Sequence, residues 1–384
     1  MTITAPTALP PDIVRLFDDD PYPEQSWALM PPEDQQFVAE VTGAHLLEPM
    51  RAYGVEDADQ RRASRLATEQ WHHFWPYIRT QQLADAEMQF HAIPSPPPAG
   101  MRTGLPLPVT LITGPPGTGK SKLLRQLAVG TMCESAWDAR RASAEPPDNA
   151  LFSARRRDVV FFSLLKKVQE RQLFAALCEQ VGAPWDKDPR TSFERAVERH
   201  GVRWIFIDEI QFINFDGQTG KYVHDGLRSL QNLGIRVVLS GHNMREQLAD
   251  QKTGAREAAR VQSEARWEMI ELRPFGHANE SEAREWRRFL RKIEGRLRLR
   301  GHGAGDTVLS EEFEEYLWVS TLGYANHLST LVSKAANAAA RLPEQRITRK
   351  VLDGLQIEIR GERSRAQRLS LWDAGRFSFK KSWT

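Results

Sequence analysis

The sequence is poor in sulfur: 384 residues hold only two cysteines, Cys133 and Cys178. A disulfide-stapled fold is thereby excluded. Both cysteines fall in helical patterns, so reduced core residues of a cytoplasmic protein are expected. No Cys/His set has zinc-ligand spacing, and His72 and His73 are adjacent, so they diverge on a helix and read as structural. No run approaches the roughly 18 uninterrupted apolar residues of a membrane span, and no membrane partner is expected. The first twenty residues lack the basic start and apolar core of a signal peptide. A strong overall charge is missing too, since 52 Lys+Arg against 50 Asp+Glu leave +2. What remains, 41% hydrophobic and 27% charged, describes a globular chain long enough for two or three units.

The small net charge conceals a gradient. Residues 1–100 carry 6 basic and 15 acidic side chains, a net of −9, whereas 101–384 carry 46 and 35, a net of +11. The last 25 residues, from Arg360, hold 7 basic and 2 acidic side chains. An acidic front and a basic body point to a polyanion or an acidic partner for the body.

The most specific stretch is LITGPPGTGKSKLL, residues 111–124. Gly114, Gly119, Lys120 and Ser121 satisfy G-x-x-x-x-G-K-[ST], the pattern of a phosphate-binding loop. The apolar run 108–113 suits the buried strand that must precede such a loop, and 121–132 spaces Leu123, Leu124, Leu127 and Ala128 as a helix. Across Gly114, Pro115, Pro116, Gly117, Thr118 and Gly119 the glycines let the N–H groups of the non-proline residues point inward as an anion nest at a helix N-terminus. Pro115 and Pro116 stiffen that loop by fixing φ. Lys120 would reach the β- and γ-phosphates and the Ser121 hydroxyl would hold Mg²⁺, with Lys122 beside them.

A second element lies about 90 residues on. The run Trp204, Ile205, Phe206, Ile207 ends in Asp208 and Glu209. Carboxylates at the C-terminal end of a buried parallel strand lie at the ligand end of an open α/β sheet. Asp208 would position Mg²⁺, and Glu209 would orient and deprotonate the attacking water. Alone, such a pair could equally cap the following helix; behind a phosphate loop it points to ATP hydrolysis.

Along the chain, 1–100 reads as an acidic, partly helical N-terminal segment. Within it, 61–90 has helical spacing with Trp71, Phe74, Trp75 and Ile78 on one face, for a packed core in preference to base stacking, and 93–100 reads as a stiff proline linker. Residues 101–275 alternate strands (159–162, 204–207, 235–240 and 269–272 after the first) with helices (171–181, 191–200 and 222–233). That alternation implies an α/β, doubly wound parallel sheet; a polar insertion, 134–157, precedes the second strand. After Pro274 the strands stop. Residues 276–357 are expected to form an all-helical lid from 277–297, 310–319, 323–340 and 348–357, and 358–384 a basic C-terminal tail. A P-loop sheet followed by a helical lid is the plan of the AAA+ ATPases.

Several segments together resemble the TniB/TnsC family, the AAA+ regulators of multi-subunit DNA transposition. They are GPPGTGKS (114–121), LFAALCEQVGAP (173–184), VRWIFIDEIQFI (202–213), LRSLQNLGIRVVLSGHN (227–243), QSEARWEMIELRPF (262–275) and GYANHLSTLVSKAANAAA (323–340). The resemblance spans about residues 100–355 and implies ATP-dependent homo-oligomers, rings or helical filaments, around double-stranded DNA. Such assemblies work with a transposase and a TniQ-like target-selection protein. It further implies nucleotide and Mg²⁺ contacts at Lys120 and Ser121, the Asp208–Glu209 pair, and a sensor position at 240–243. There His242 stands where relatives carry Thr. Arg266 matches the arginine that crosses to a neighbour's γ-phosphate, with Arg260 a second candidate. Asn326, beside His327, replaces the lid arginine of related initiators. Arg155, Arg156, Arg157, Lys166 and Lys167 flank the second strand as candidate DNA contacts, or as a solvated charged loop. Two other readings stay open: a signalling or antiviral-defence ATPase acting on a protein, and a helicase loader.

Overall fold

The computed structural model describes residues 9–17, 20–46, 58–97, 107–142, 157–213, 217–244, 267–302 and 305–380. They fall into two compact units. One lies within Met1–Ala44, Leu83–Pro115 and Lys120–Leu272, the other within His45–Gln82, Pro116–Gly119 and Arg273–Thr384. The N-terminal hundred residues, expected as one segment, are thus divided between the two.

The first unit is built on a five-stranded sheet, β1 (Val109–Thr113), β2 (Val159–Ser163), β3 (Trp204–Asp208), β4 (Arg236–Ser240) and β5 (Trp267–Glu271). Its order is β2-β3-β4-β1-β5, and every pairing is parallel. β1, β3 and β4 are buried at every residue, which is why they read as mostly apolar runs. β5, at the edge, buries only Ile270 fully. Register pairs Ile112 with Ser240 and Ile207 with Leu239. The C-terminal ends of β1, β4 and β3 therefore lie side by side, and this is the ligand end of an open parallel sheet. The α/β, doubly wound expectation holds.

Helices flank this sheet, and the one after β1 is longer than expected. Lys120–Ala142 continues through the first part of the stretch taken as an insertion, burying Leu123, Leu124, Leu127, Ala128 and Met132. Cys133 lies in it and Cys178 in Glu170–Gln180; both are buried free thiols, and burial pushes the Cys178 thiol up to about 11. Arg236, at the start of β4, is only 1% exposed. Its guanidinium donates to the Phe90 and Ile93 carbonyls at 2.7 and 3.1 Å and stacks over Phe90 and Trp204. A cation thus meets the C-terminal end of helix Gln81–Ala92, where helical carbonyls lack partners. Burial lowers its pKa to about 10, still charged at neutral pH.

The second unit is helical from Glu280 onward, with Glu280–Glu294, Glu314–Thr321 and Ala325–Ala339 around Trp286, Leu290, Leu317, Leu328 and Val332. Part of its core comes from the N-terminal segment. The helix expected over 61–90 is broken into Ala58–His73 and Gln81–Ala92; Pro76 lies in the gap, and proline cannot supply the helical N–H. Trp71 donates to the Arg296 carbonyl at 2.8 Å, and Trp75 to Ser333 Oγ at 2.6 Å. These aromatics serve packing. Buried His72 accepts from the Arg298 N–H at 3.0 Å, and desolvation, with Arg298 and Arg296 nearby, holds its pKa down to about 4.

The basic tail is a correction. Residues 359–380 are folded into this unit, with helices Ile359–Glu362 and Arg365–Asp373. Arg368 donates to the Val319 and Ser320 carbonyls at 3.0 and 3.1 Å, and Arg365 to those of Leu355 and Leu352 at 2.6 and 3.2 Å. Both arginines are buried. Their charge satisfies helix ends, and they are not held out for a partner.

Candidate functional site

The loop after β1 needs glycine for backbone reasons. Gly114, Gly117 and Gly119 have φ of +138°, +82° and +98°, which side chains rarely adopt. At Gly114 a Cβ would also lie 2.0 Å from the Leu272 carbonyl oxygen, beside the bond from the Leu272 N–H to the Thr113 carbonyl (2.8 Å). The chain then enters helix Lys120–Ala142, which brings Lys120 to the loop with 6% of its surface exposed. Lys120 Nζ donates to the Pro115 carbonyl at 2.7 Å. Burial lowers its pKa to about 8 against the pull of Glu209 and Asp208, the nearby carboxylates. Ser121 is half-buried and Lys122 exposed in the same first turn. Within the helical unit, the loop residues Pro116, Gly117, Thr118 and Gly119 meet the start of Ala325–Ala339: the Asn326 N–H donates to the Gly117 carbonyl at 3.1 Å. Asn326 thus holds the loop through its backbone, and His327 pairs with Glu358 at 2.9 Å.

Asp208 closes β3 and is 4% exposed. Its Oδ1 accepts the Glu209 N–H at 2.9 Å. Glu209 itself has φ 61°, ψ 41°, left-handed without being glycine. A strained backbone at the end of a sheet strand is a common mark of functional positions. The Glu209 carboxylate accepts from the Gln211 side-chain amide and lies 3.5 Å from His242 Nε2. Gln211 also accepts from the His242 N–H (3.3 Å), and its Nε2 is 3.0 Å from His242 Nε2. His242, expected at the nucleotide, therefore faces the Glu209 side chain. Beside it, the Asn243 N–H donates to the Gly114 carbonyl (3.3 Å) and the Met244 N–H to Thr113 Oγ1 (3.0 Å), tying the β4 loop to the end of β1. The sequence reading missed Gln211, two residues past the carboxylate pair.

The remaining candidates divide. Arg155, Arg156, Arg260 and Arg266 lie outside the described residues. Arg157 is engaged internally, donating to the Gln180 carbonyl and facing buried Asp34 at 3.8 Å. Lys166 and Lys167 are exposed, next to Leu165 at 88% exposure. The turn carrying them is fastened at both ends, by the Leu164 N–H to the Asp208 carbonyl (3.1 Å) and the Val168 N–H to the Phe212 carbonyl (3.0 Å).

One buried ammonium, a glycine loop opening a helix, a hydroxyl and two carboxylates form a set that can hold a polyphosphate. Ser121 and Asp208 are hard oxygen donors, and Asp208 has one carboxylate oxygen taken by the neighbouring N–H. So sparse a protein donor set fits Mg²⁺, which keeps waters and binds alongside substrate phosphates. Among the described residues no group of three or more His, Cys, Asp or Glu could hold a metal, and no helix is long and apolar enough to cross a membrane.

Residues 108–248 match the family model described as an AAA domain. Among curated proteins none matches the chain in sequence. Similar solved structures include Cdc6p from Pyrobaculum aerophilum, at 14% identity over 80% of this chain and 85% of that one, TM-score 0.46. The Aeropyrum pernix ORC1 protein in complex with DNA is 16% identical over 74% and 67%, TM-score 0.49. AMPPCP-bound DnaA from Aquifex aeolicus is 15% identical over 77% and 69%, TM-score 0.41. The parallel sheet and the glycine loop lie within the stretch that matches, so residues 108–248 are similar to an AAA domain with a P-loop α/β fold.

Proposed function

We propose that the protein hydrolyses ATP and uses the cycle to regulate DNA transposition, assembling head-to-tail on double-stranded DNA and connecting target choice to a transposase. The observation that carries the ATPase part is the convergence of Lys120, Asp208 and Glu209, close enough for both carboxylates to act on the lysine's charge. In this reading Lys120 leaves the Pro115 carbonyl for the β/γ-phosphates, and Glu209 takes the proton of the attacking water. Ser121 and Asp208 would hold Mg²⁺, which when bound neutralises charge on the phosphates. The transposition part rests on the TniB/TnsC resemblance, which also supplies Arg266 as the arginine reaching a neighbour's γ-phosphate and a TniQ-like protein as a partner.

DNA contact is assigned to exposed Lys166 and Lys167, which follow β2, with Arg155 and Arg156 before that strand in sequence. No base-reading module is recognisable, so binding should follow the phosphate backbone and fall steeply with salt. Electron microscopy with a non-hydrolysable ATP analogue, with and without duplex DNA, tests the reading. Rings or filaments that need both nucleotide and DNA are expected, with strand transfer by the cognate transposase dependent on them. A nucleotide-bound monomer indifferent to DNA would refute it and favour an ATPase acting on a protein partner.

A further inference from the structure

The Gln211 amide sits at the centre of the polar cluster around Glu209, and hydrogen-bond chemistry fixes its orientation. The His242 backbone N–H can only donate, so the atom it meets at 3.3 Å must be Gln211 Oε1. The amide NH₂ therefore faces Glu209 Oε2, to which it donates, and His242 Nε2 at 3.0 Å. Two hydrogens meet two acceptors when His242 Nε2 carries no proton. A proton there would set donor against donor at 3.0 Å, for an approach to Glu209 of 3.5 Å that is long for a hydrogen bond.

We propose that Gln211 is a positioning residue that fixes the Glu209 carboxylate and fastens it to the loop after β4. The proposal rests on the ATPase reading above and adds to it a residue that does not touch substrate. By taking Oε2, the amide leaves Oε1 to accept the proton from water. Through its Oε1 bond to the His242 N–H, it joins the base to the loop that also holds the end of β1 through Asn243 and Met244. Among the described residues, the charged and titratable groups facing Glu209 include Asp208 on β3, Lys120 on the helix after the loop, and His242.

Steady-state ATPase kinetics of the full chain test this. Gln211→Met keeps length and loses the donor; kcat should fall about 10- to 100-fold through misplacement of the base. KM for ATP and affinity for a non-hydrolysable analogue should stay at wild-type values, the latter also showing that the fold is intact. Gln211→Glu, which keeps shape but sets a second carboxylate against Glu209, should lose more. In a Glu209→Gln background, adding Gln211→Met should change residual turnover little. Wild-type kcat in Gln211→Met, with Glu209→Gln inactive, would overturn the positioning role and leave the ATPase reading standing. An equal loss in both backgrounds would overturn it as well, because Gln211 would then act elsewhere. Normal turnover by Glu209→Gln would overturn both.

Discussion

Lys120 should make nucleotide affinity depend on pH in a range where ordinary lysines do not titrate. Its pKa is pushed down to about 8, chiefly because the fold removes the ammonium from water, and the two carboxylates only partly oppose this. Phosphates attract the charged form, so binding ATP above pH 8 requires taking up a proton. With a pKa of about 8, the protonated fraction drops roughly tenfold from pH 7 to pH 9, and apparent affinity should fall with it, by about 1.4 kcal/mol. The sign for the nucleotide-free protein is opposite. Its folded pKa lies below the 10.5 of a free lysine, so the unfolded chain binds more protons between about 8 and 10.5, and this group's contribution to stability rises with pH there. Calorimetric titration of ATP from pH 7 to 9, in two buffers of different ionisation heat, measures both the affinity and the proton uptake. Lys120→Arg, which stays charged throughout, should bind more weakly at pH 7 but with a flat profile. An unchanged wild-type affinity to pH 9, with no buffer-dependent heat, would show that Lys120 stays charged and refute the reasoning.

Glu209→Gln should bind ATP as the wild type does and lose most of its turnover, in a phosphate-release assay, while ATP-loaded assemblies accumulate. Gly114→Ala combines a strained φ with a 2.0 Å clash on the Leu272 carbonyl. It should cost about 3 kcal/mol or more in urea denaturation and abolish nucleotide binding. Asp34 is raised from 3.8 to about 7, mainly by burial, with Arg157 opposing. A carboxyl whose folded pKa is raised stabilises fully below pH 4 and loses this as pH rises through 7, so Asp34→Asn should gain up to about 4 kcal/mol at pH 8 and little at pH 4. Arg266→Ala should keep ATP binding and lose about 10³- to 10⁵-fold in hydrolysis. Mixing it with Lys120→Ala should restore little in a head-to-tail assembly, whereas full activity of Arg266→Ala alone would remove that residue from the site.

The strands that carry the site could be read because burial on both faces removes polar alternation. β1, β3 and β4 were expected to within a residue or two. The edge strand β5 was expected at 269–272 and starts at Trp267, since a half-exposed strand shows a weaker apolar run. The glycines, Lys120 and the Asp208–Glu209 pair were legible because their constraints are local, a positive φ here and a strand end there. The break at Pro76 was legible as well, but helical spacing of aromatics on both sides masked it. Other features depend on which distant groups come together. Arg365 and Arg368 count as charge in the sequence, and only the helix end at Val319 and Ser320 turns them into core donors. Sequence also gives no reason for the division of the N-terminal segment at His45, because an apolar face does not state which core it will join. Gln211 is the sharpest case. Its position two residues past Glu209 is plain, yet a glutamine there could face solvent in any ordinary turn. Two features turn it inward: the left-handed φ of Glu209, and the return of the chain through β4 that brings the His242 N–H within reach. The first is a local conformation the sequence does not announce at a glutamate, and the second is a contact across 31 residues. A motif can therefore point to Glu209 as the candidate base, while the contacts its carboxylate makes are set by the sheet order.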